Sequence, residues 1–142
     1  MTPFGSAPYH AGMETPGHPA TARLVARARG DPDVLAVILF GSRARDDASP
    51  ASDYDVCLAL VAPPRSDLDA AHKRLDYLAV GDLDVVLFHQ LPLHIRSRVL
   101  KDGRVLFVRD EDALYALAVH TARAFEGFRH IYRGYLEEIA RG

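Results

Sequence analysis

The sequence predicts an α/β (α+β) domain in which a small mixed β-sheet has helices packed on one side. Two observations support this. Short apolar runs rich in β-branched residues alternate along the chain with segments of helical periodicity. The 142 residues, 49% of them hydrophobic, are enough for the core of one compact domain.

Each element has its own local signal. Pro63-Pro64 ends the second strand, Ser66 is a helix cap, Gly81 and Gly103 stop helices, and Pro92 begins one. The expected order is a helix over 21–30, strands over 34–40 and 53–61, a helix over 66–78, a strand over 82–88, a helix over 92–101, an edge strand over 104–108 and a long amphipathic helix over 111–140. Residues 1–20, rich in Pro and Gly, are expected to form a flexible tail before a domain over 21–142.

Composition narrows the functional classes. A formal net charge of -2 argues against strong general binding of nucleic acid. The single cysteine, Cys57, excludes an intramolecular disulfide and fits a reducing cytoplasm. No apolar run approaches the roughly 18 residues of a membrane span, so we expect a soluble, cytoplasmic protein.

The run from Phe40 to Arg45 has the features of a phosphate-binding turn. The preceding segment, residues 34–40, is apolar and β-branched, and a buried strand there would deliver Gly41 at its carboxyl end, where ligands collect. Glycine permits a sharp turn and a close approach of the backbone to a ligand, and Ser42 offers a hydroxyl and an N–H to a phosphate oxygen. Of the two neighbouring arginines, Arg45 is slightly favoured over Arg43 for a phosphate contact.

Three acidic residues predict a metal site beside this turn. Asp53 and Asp55 are two apart, so in a strand their carboxylates lie on one face and repel each other unless a cation sits between them. Mg²⁺ suits such oxygen ligands together with substrate phosphates. Asp84, on a later apolar strand, would join them if the strands are neighbours, as a metal bridge or as a base for an attacking hydroxyl. Asp82 is the alternative on that strand.

These residues together resemble the nucleotidyltransferase superfamily, which has a polymerase β-like fold. The resemblance rests on Gly41-Ser42, on Asp53-x-Asp55, which follows the serine after ten intervening residues, and on Asp84 further along the chain. It implies that Gly41 and Ser42 hold the triphosphate of ATP, that Asp53 and Asp55 bind Mg²⁺, and that Asp84 is the third catalytic carboxylate. Many members have glycine where this chain has Asp46.

Within the superfamily the chain most resembles the minimal, single-domain branch. That branch includes MntA-type antitoxins, which are encoded beside a HEPN-domain toxin of the HepT type and transfer AMP from ATP to a tyrosine of the toxin. The resemblance therefore implies an antitoxin that neutralises its toxin by AMPylation. Two alternatives stay open: an antitoxin that acts by binding alone, and a stand-alone enzyme that adenylylates a small molecule.

Overall fold

The computed structural model describes residues 19–41, 54–79 and 83–141. Within them the chain forms helix α1 at Pro19–Arg29, strand β1 at Val34–Phe40, strand β2 at Tyr54–Leu60, helix α2 at Asp67–Leu78, strand β3 at Leu83–Leu87, a single 3-10 turn at Phe88–Gln90, helix α3 at Leu93–Asp102, strand β4 at Arg104–Val108 and helix α4 at Glu111–Arg141.

The four strands form one mixed sheet in the order β3-β2-β1-β4. Strand β1 pairs antiparallel with both β2 and β4, whereas β2 and β3 are parallel. A parallel pair requires a crossover connection, which α2 provides here. The predicted mixed sheet is confirmed, and β4 lies at an edge as expected.

The helices cover both faces of the sheet, and this differs from the prediction that they would pack on one side. Helices α1 and α2 bury Leu24 and Tyr77 against the face that carries Val56 and Val85. Helices α3 and α4 bury their apolar residues against the opposite face, which carries Cys57. The physical reason is visible in β1, whose run Val-Leu-Ala-Val-Ile-Leu is buried throughout, because a strand covered on both faces needs apolar residues at consecutive positions.

The helix bounds agree with the sequence signals to within one or two residues. Ser66 caps α2 as predicted, because its Oγ accepts a hydrogen bond from the Asp69 backbone N–H at 3.1 Å. Asp110 caps α4 in the same way by accepting from the Ala113 N–H at 3.1 Å. The boundary of the predicted tail stays a prediction, since residues 1–18 lie outside the described part of the chain.

The end of the sheet where β1 begins is held by a polar network. The Arg109 guanidinium donates to four backbone carbonyls, those of Ala28, Arg29, Asp31 and Val34, at 2.8 to 3.0 Å. Two of these carbonyls, those of Ala28 and Arg29, lie at the carboxyl end of α1, where carbonyl groups have no partner within the helix. Arg109 therefore joins the end of β4 to α1 and to the start of β1.

Helix α4 is packed over only part of its length. Its 31 residues give it a length of about 46 Å. Leu114, Ala118 and Thr121 are buried, but from Glu126 onward every described side chain of the helix is exposed. The first half of α4 thus belongs to the domain and the second half extends beyond it. Among the described residues, no helix is both long and apolar enough to cross a membrane.

Candidate active site

Gly41 directly follows β1 at one end of the sheet, and its backbone has a conformation that favours glycine. Its φ is +80°, in the left-handed region that L side chains rarely adopt. A Cβ at this position would also lie 2.6 Å from Oδ2 of Asp55. The glycine is therefore required twice, once for the turn and once for the approach of the Asp55 carboxylate to the backbone.

Asp55 and Asp84 lie side by side on parallel strands. They are direct partners in the register of β2 and β3, so their backbones are about 4.8 Å apart. Residues paired in this way point to the same face, which here is the face covered by α3 and α4. We expected Asp84 to lie beside Asp55 if the two strands were neighbours. The two strands are neighbours, and the two residues are paired.

Arg74 of α2 places a positive charge beside this pair. Its Nε donates to the carbonyl oxygen of Val85 at 2.6 Å, and its Nη2 lies 3.7 Å from Oδ1 of Asp84. The first contact satisfies a carbonyl of the edge strand β3, and the second offsets part of the negative charge of Asp84. Sequence reasoning missed Arg74, because nothing in its local pattern distinguishes it from any other exposed helical cation.

Cys57 lies two residues beyond Asp55 on the same face of β2, where it is fully buried. Removal of the thiol from water raises its pKa far above the usual value, so it stays protonated near neutral pH. A neutral thiol in an apolar core is a poor nucleophile and a poor metal ligand. Cys57 is therefore an inert core residue.

The other predicted site residues, Ser42, Arg45 and Asp53, lie outside the described residues, as do Arg43 and Asp82. Within residues 19–41, 54–79 and 83–141, no group of three metal-ligating side chains comes together. The described part of the site therefore consists of the Gly41 turn and the paired carboxylates of Asp55 and Asp84.

The donor atoms present fit a hard divalent cation. Two carboxylates at one register position, on adjacent strands and beside the turn at Gly41, offer only oxygen ligands, which Mg²⁺ prefers. Such a pair is also unfavourable without a compensating charge, and Arg74 is only partly placed to supply it. The arrangement can thus hold a cation and bring phosphate oxygens close to the backbone at Gly41.

Comparison with known proteins identifies the family. The profile described as "Polymerase beta, Nucleotidyltransferase" matches residues 23–112, which include β1, β2, β3 and the turn at Gly41. The chain belongs to the polymerase β nucleotidyltransferase family. This nucleotidyltransferase is also 30% identical over 105 residues to a protein of Methanocaldococcus jannaschii named "Putative protein adenylyltransferase MJ1547", with 70% of each chain covered.

Solved structures of toxin–antitoxin complexes contain chains with the same fold. One, described as a toxin–antitoxin with AMP-PNP, superposes on this nucleotidyltransferase with a TM-score of 0.61 at 18% identity, covering 84% of this chain and 95% of that one. A second is a tri-AMPylated Shewanella oneidensis HEPN toxin in complex with an MNT antitoxin, with a TM-score of 0.57 at 16% identity and coverage of 84% and 92%. The resemblance to the nucleotidyltransferase superfamily and the prediction of a small mixed sheet with a polymerase β-like fold are thereby confirmed.

Proposed function

We propose that this nucleotidyltransferase transfers AMP from ATP to a tyrosine hydroxyl of a cognate HEPN-type toxin and so neutralises the toxin. The observation that carries the proposal is the pairing of Asp55 with Asp84 on parallel strands, directly beside the turn at Gly41. In the proposed reaction, these two carboxylates act at the point where the incoming hydroxyl meets the phosphate.

The carboxylates have distinct roles in the proposed reaction. Asp84 is the more exposed of the two and is open to an acceptor, so it orients the tyrosine hydroxyl and accepts its proton. The tyrosine oxygen then forms a bond to the α-phosphorus of ATP, while the bond from that phosphorus to its bridging oxygen breaks and pyrophosphate leaves. Asp55, half-buried beside Gly41, would hold the cation that binds the phosphate chain, because a carboxylate and a phosphate repel each other without one.

Mg²⁺ would be held by Asp55 and Asp84, with Asp53 as a further ligand from the sequence pattern. When bound, the ion neutralises charge on the triphosphate and on the leaving pyrophosphate. Gly41 supports the same task from the protein side, because the absence of a Cβ leaves room for phosphate oxygens near the backbone. Ser42 and Arg45 complete the proposed nucleotide-binding set, with a hydroxyl and a cationic fork.

The proposal of a HEPN-type toxin as acceptor rests on the likeness in fold to chains from toxin–antitoxin complexes. The small domain itself offers further support. The described chain contains one sheet and four helices and no second lobe that would enclose a small acceptor molecule. A partner protein needs no enclosing lobe, because it presents its own tyrosine at the end of the sheet that carries Gly41, Asp55 and Asp84.

The test is an intact-mass measurement. The purified chain is incubated with ATP, Mg²⁺ and the product of the neighbouring gene, and the masses of both proteins are recorded. We expect the partner to gain one or more AMP units, and we expect the gain to disappear in Asp55→Asn and Asp84→Asn.

Asp69→Asn is the matched control. It removes the same charge from the first turn of α2, which begins after the carboxyl end of β2 and thus at the opposite end of the sheet. A neutralised toxin without a mass gain would instead establish an antitoxin that acts by binding. Transfer of AMP to a small molecule but not to the partner would establish a stand-alone adenylyltransferase.

A further inference from the structure

The second half of α4 carries a regular apolar stripe. Apolar or uncharged residues recur along the helix at alternating spacings of four and three, which is the pattern of helices that pack side by side. The positions are Leu114, Ala118, Thr121, Phe125, Phe128, Tyr132, Tyr135 and Ile139. The first three are buried by the domain, so the later positions continue the helix face that already packs against it.

We call the second part of this series the α4 stripe: the positions from Phe125 to Ile139, with Ile131 and Leu136 on its two flanks. Of its described side chains, Phe128, Ile131, Tyr135, Leu136 and Ile139 are between 46% and 73% exposed. At roughly 150–200 Å² for a large side chain, they present about 500 Å² of apolar surface. A patch of that size on a small domain marks an interaction surface.

The area suits a second copy of the same helix. When two such stripes pack together, they remove about 1,000 Å² from water, which reaches the lower limit for a specific protein interface. No additional surface from the sheet or from the other helices is needed. The projection of α4 beyond the domain also lets two copies approach without contact between their sheets.

We infer that this protein forms a homodimer through side-by-side pairing of its α4 stripes. The homodimer is independent of the proposed function, because none of the residues involved belongs to the candidate active site.

Sedimentation velocity of the purified full chain, over a concentration series and without nucleotide or partner, tests the dimer. We expect a species of twice the 15.6 kDa chain mass. The double variant Ile131→Glu/Tyr135→Glu should dissociate at least tenfold more readily, since it introduces two charges into the apolar surface of the α4 stripe. Both side chains are exposed in the single chain, so far-UV circular dichroism should be unchanged.

Leu75→Glu is the matched control, because Leu75 is 60% exposed on α2, away from the α4 stripe, and its substitution should leave the dimer intact. A monomer at every concentration of the wild type would overturn the proposal and leave the α4 stripe to another occupant, such as residues 1–18 or a partner protein. Equal weakening by the control and the stripe variants would also overturn it.

Discussion

Gly41 and Asp55 are placed so closely that the carboxylate of Asp55 occupies the space next to the Cα of the glycine. A Cβ on residue 41 would lie 2.6 Å from Oδ2 of Asp55, a separation that real Cβ atoms essentially never show. The backbone turn at the end of β1 and the position of a candidate catalytic carboxylate on β2 are therefore coupled. A change at one moves the other.

Gly41→Ala should impair catalysis more than it impairs folding. The left-handed φ of +80° costs an alanine about 1–2 kcal/mol, and the new methyl group displaces the Asp55 carboxylate. We expect AMP transfer to fall at least tenfold, because misplacement of a catalytic group by about 1 Å is that costly. Initial rates and thermal unfolding of the same samples measure the two effects.

Gly30→Ala is the control for this substitution. A Cβ there would meet only the Arg27 carbonyl oxygen, at an ordinary contact distance of 3.7 Å, near the opposite end of β1. Its transfer rate should match the wild type. Wild-type activity in Gly41→Ala itself would show that the position of Asp55 does not limit the reaction.

Arg74→Gln should lower the Mg²⁺ concentration needed for activity. The guanidinium lies 3.7 Å from Asp84, so it competes with a cation for that carboxylate. Removal of a partly exposed pair of this kind is worth about 0.2–1 kcal/mol, which corresponds to a half-saturating concentration lower by a factor of about 1.4 to 5. Titration of the transfer rate with Mg²⁺ measures the shift.

Lys73→Gln provides the comparison for Arg74. It removes one positive charge from the adjacent position of α2, but the Lys73 ammonium contacts Asp31 and Asp33 rather than Asp84. The Mg²⁺ dependence of this variant should be that of the wild type. An unchanged or higher Mg²⁺ requirement in Arg74→Gln would argue against a metal on Asp84.

Asp31→Asn should lower the free energy of unfolding at neutral pH but not in acid. Partial burial opposes ionisation of Asp31, but hydrogen bonds from Tyr77 at 2.8 Å and Lys73 at 3.0 Å outweigh it and lower its pKa. An acid whose pKa is lowered by folding stabilises the protein above its unfolded pKa of about 4, and that contribution is lost as the pH falls through the folded pKa. The cost should be about 1–2 kcal/mol at pH 7.

Urea denaturation of wild type and Asp31→Asn across this pH range checks the prediction, and the difference between them should shrink below about pH 4. Asp33→Asn is the control, because Asp33 shares Lys73 but is 71% exposed. Its effect should stay within about 0.5 kcal/mol. A constant difference between wild type and Asp31→Asn at all pH values would mean that ionisation of Asp31 does not contribute.

Gly103→Ala should be strongly destabilising, although the φ of this glycine is ordinary. A Cβ would collide with the Val99 carbonyl oxygen and with Cγ2 of Ile38, both parts of a packed core. Overpacking of this kind costs about 1–3 kcal/mol.

Gly127→Ala should change the free energy of unfolding in the opposite direction. We expect a gain of about 0.5–1 kcal/mol, since Gly127 lies inside α4 with no atom within 4 Å of the new methyl group. Chemical denaturation of both variants gives the comparison.

Local patterns were sufficient for most of the fold. The apolar run of β1 predicted its bounds to the residue, and Ser66 marked the start of α2, because strand burial and helix capping depend on neighbouring residues. The packing of helices on both faces was missed, although the uninterrupted apolar run of β1 was a sign of it. Which helix covers which face depends on the crossovers, and no local pattern records them.

The sequence by itself determined the family, because Gly41, Asp55 and Asp84 belong to a pattern of local residue types and spacings that resembles nucleotidyltransferases, and the same pattern predicted the chemistry of the candidate site. Only the tertiary structure decided that Asp55 and Asp84 are register partners, that Arg74 reaches Asp84 and that half of α4 lies beyond the domain. The physical reason is that these relations join residues far apart in the chain, and they are fixed by strand order and helix packing rather than by local propensity.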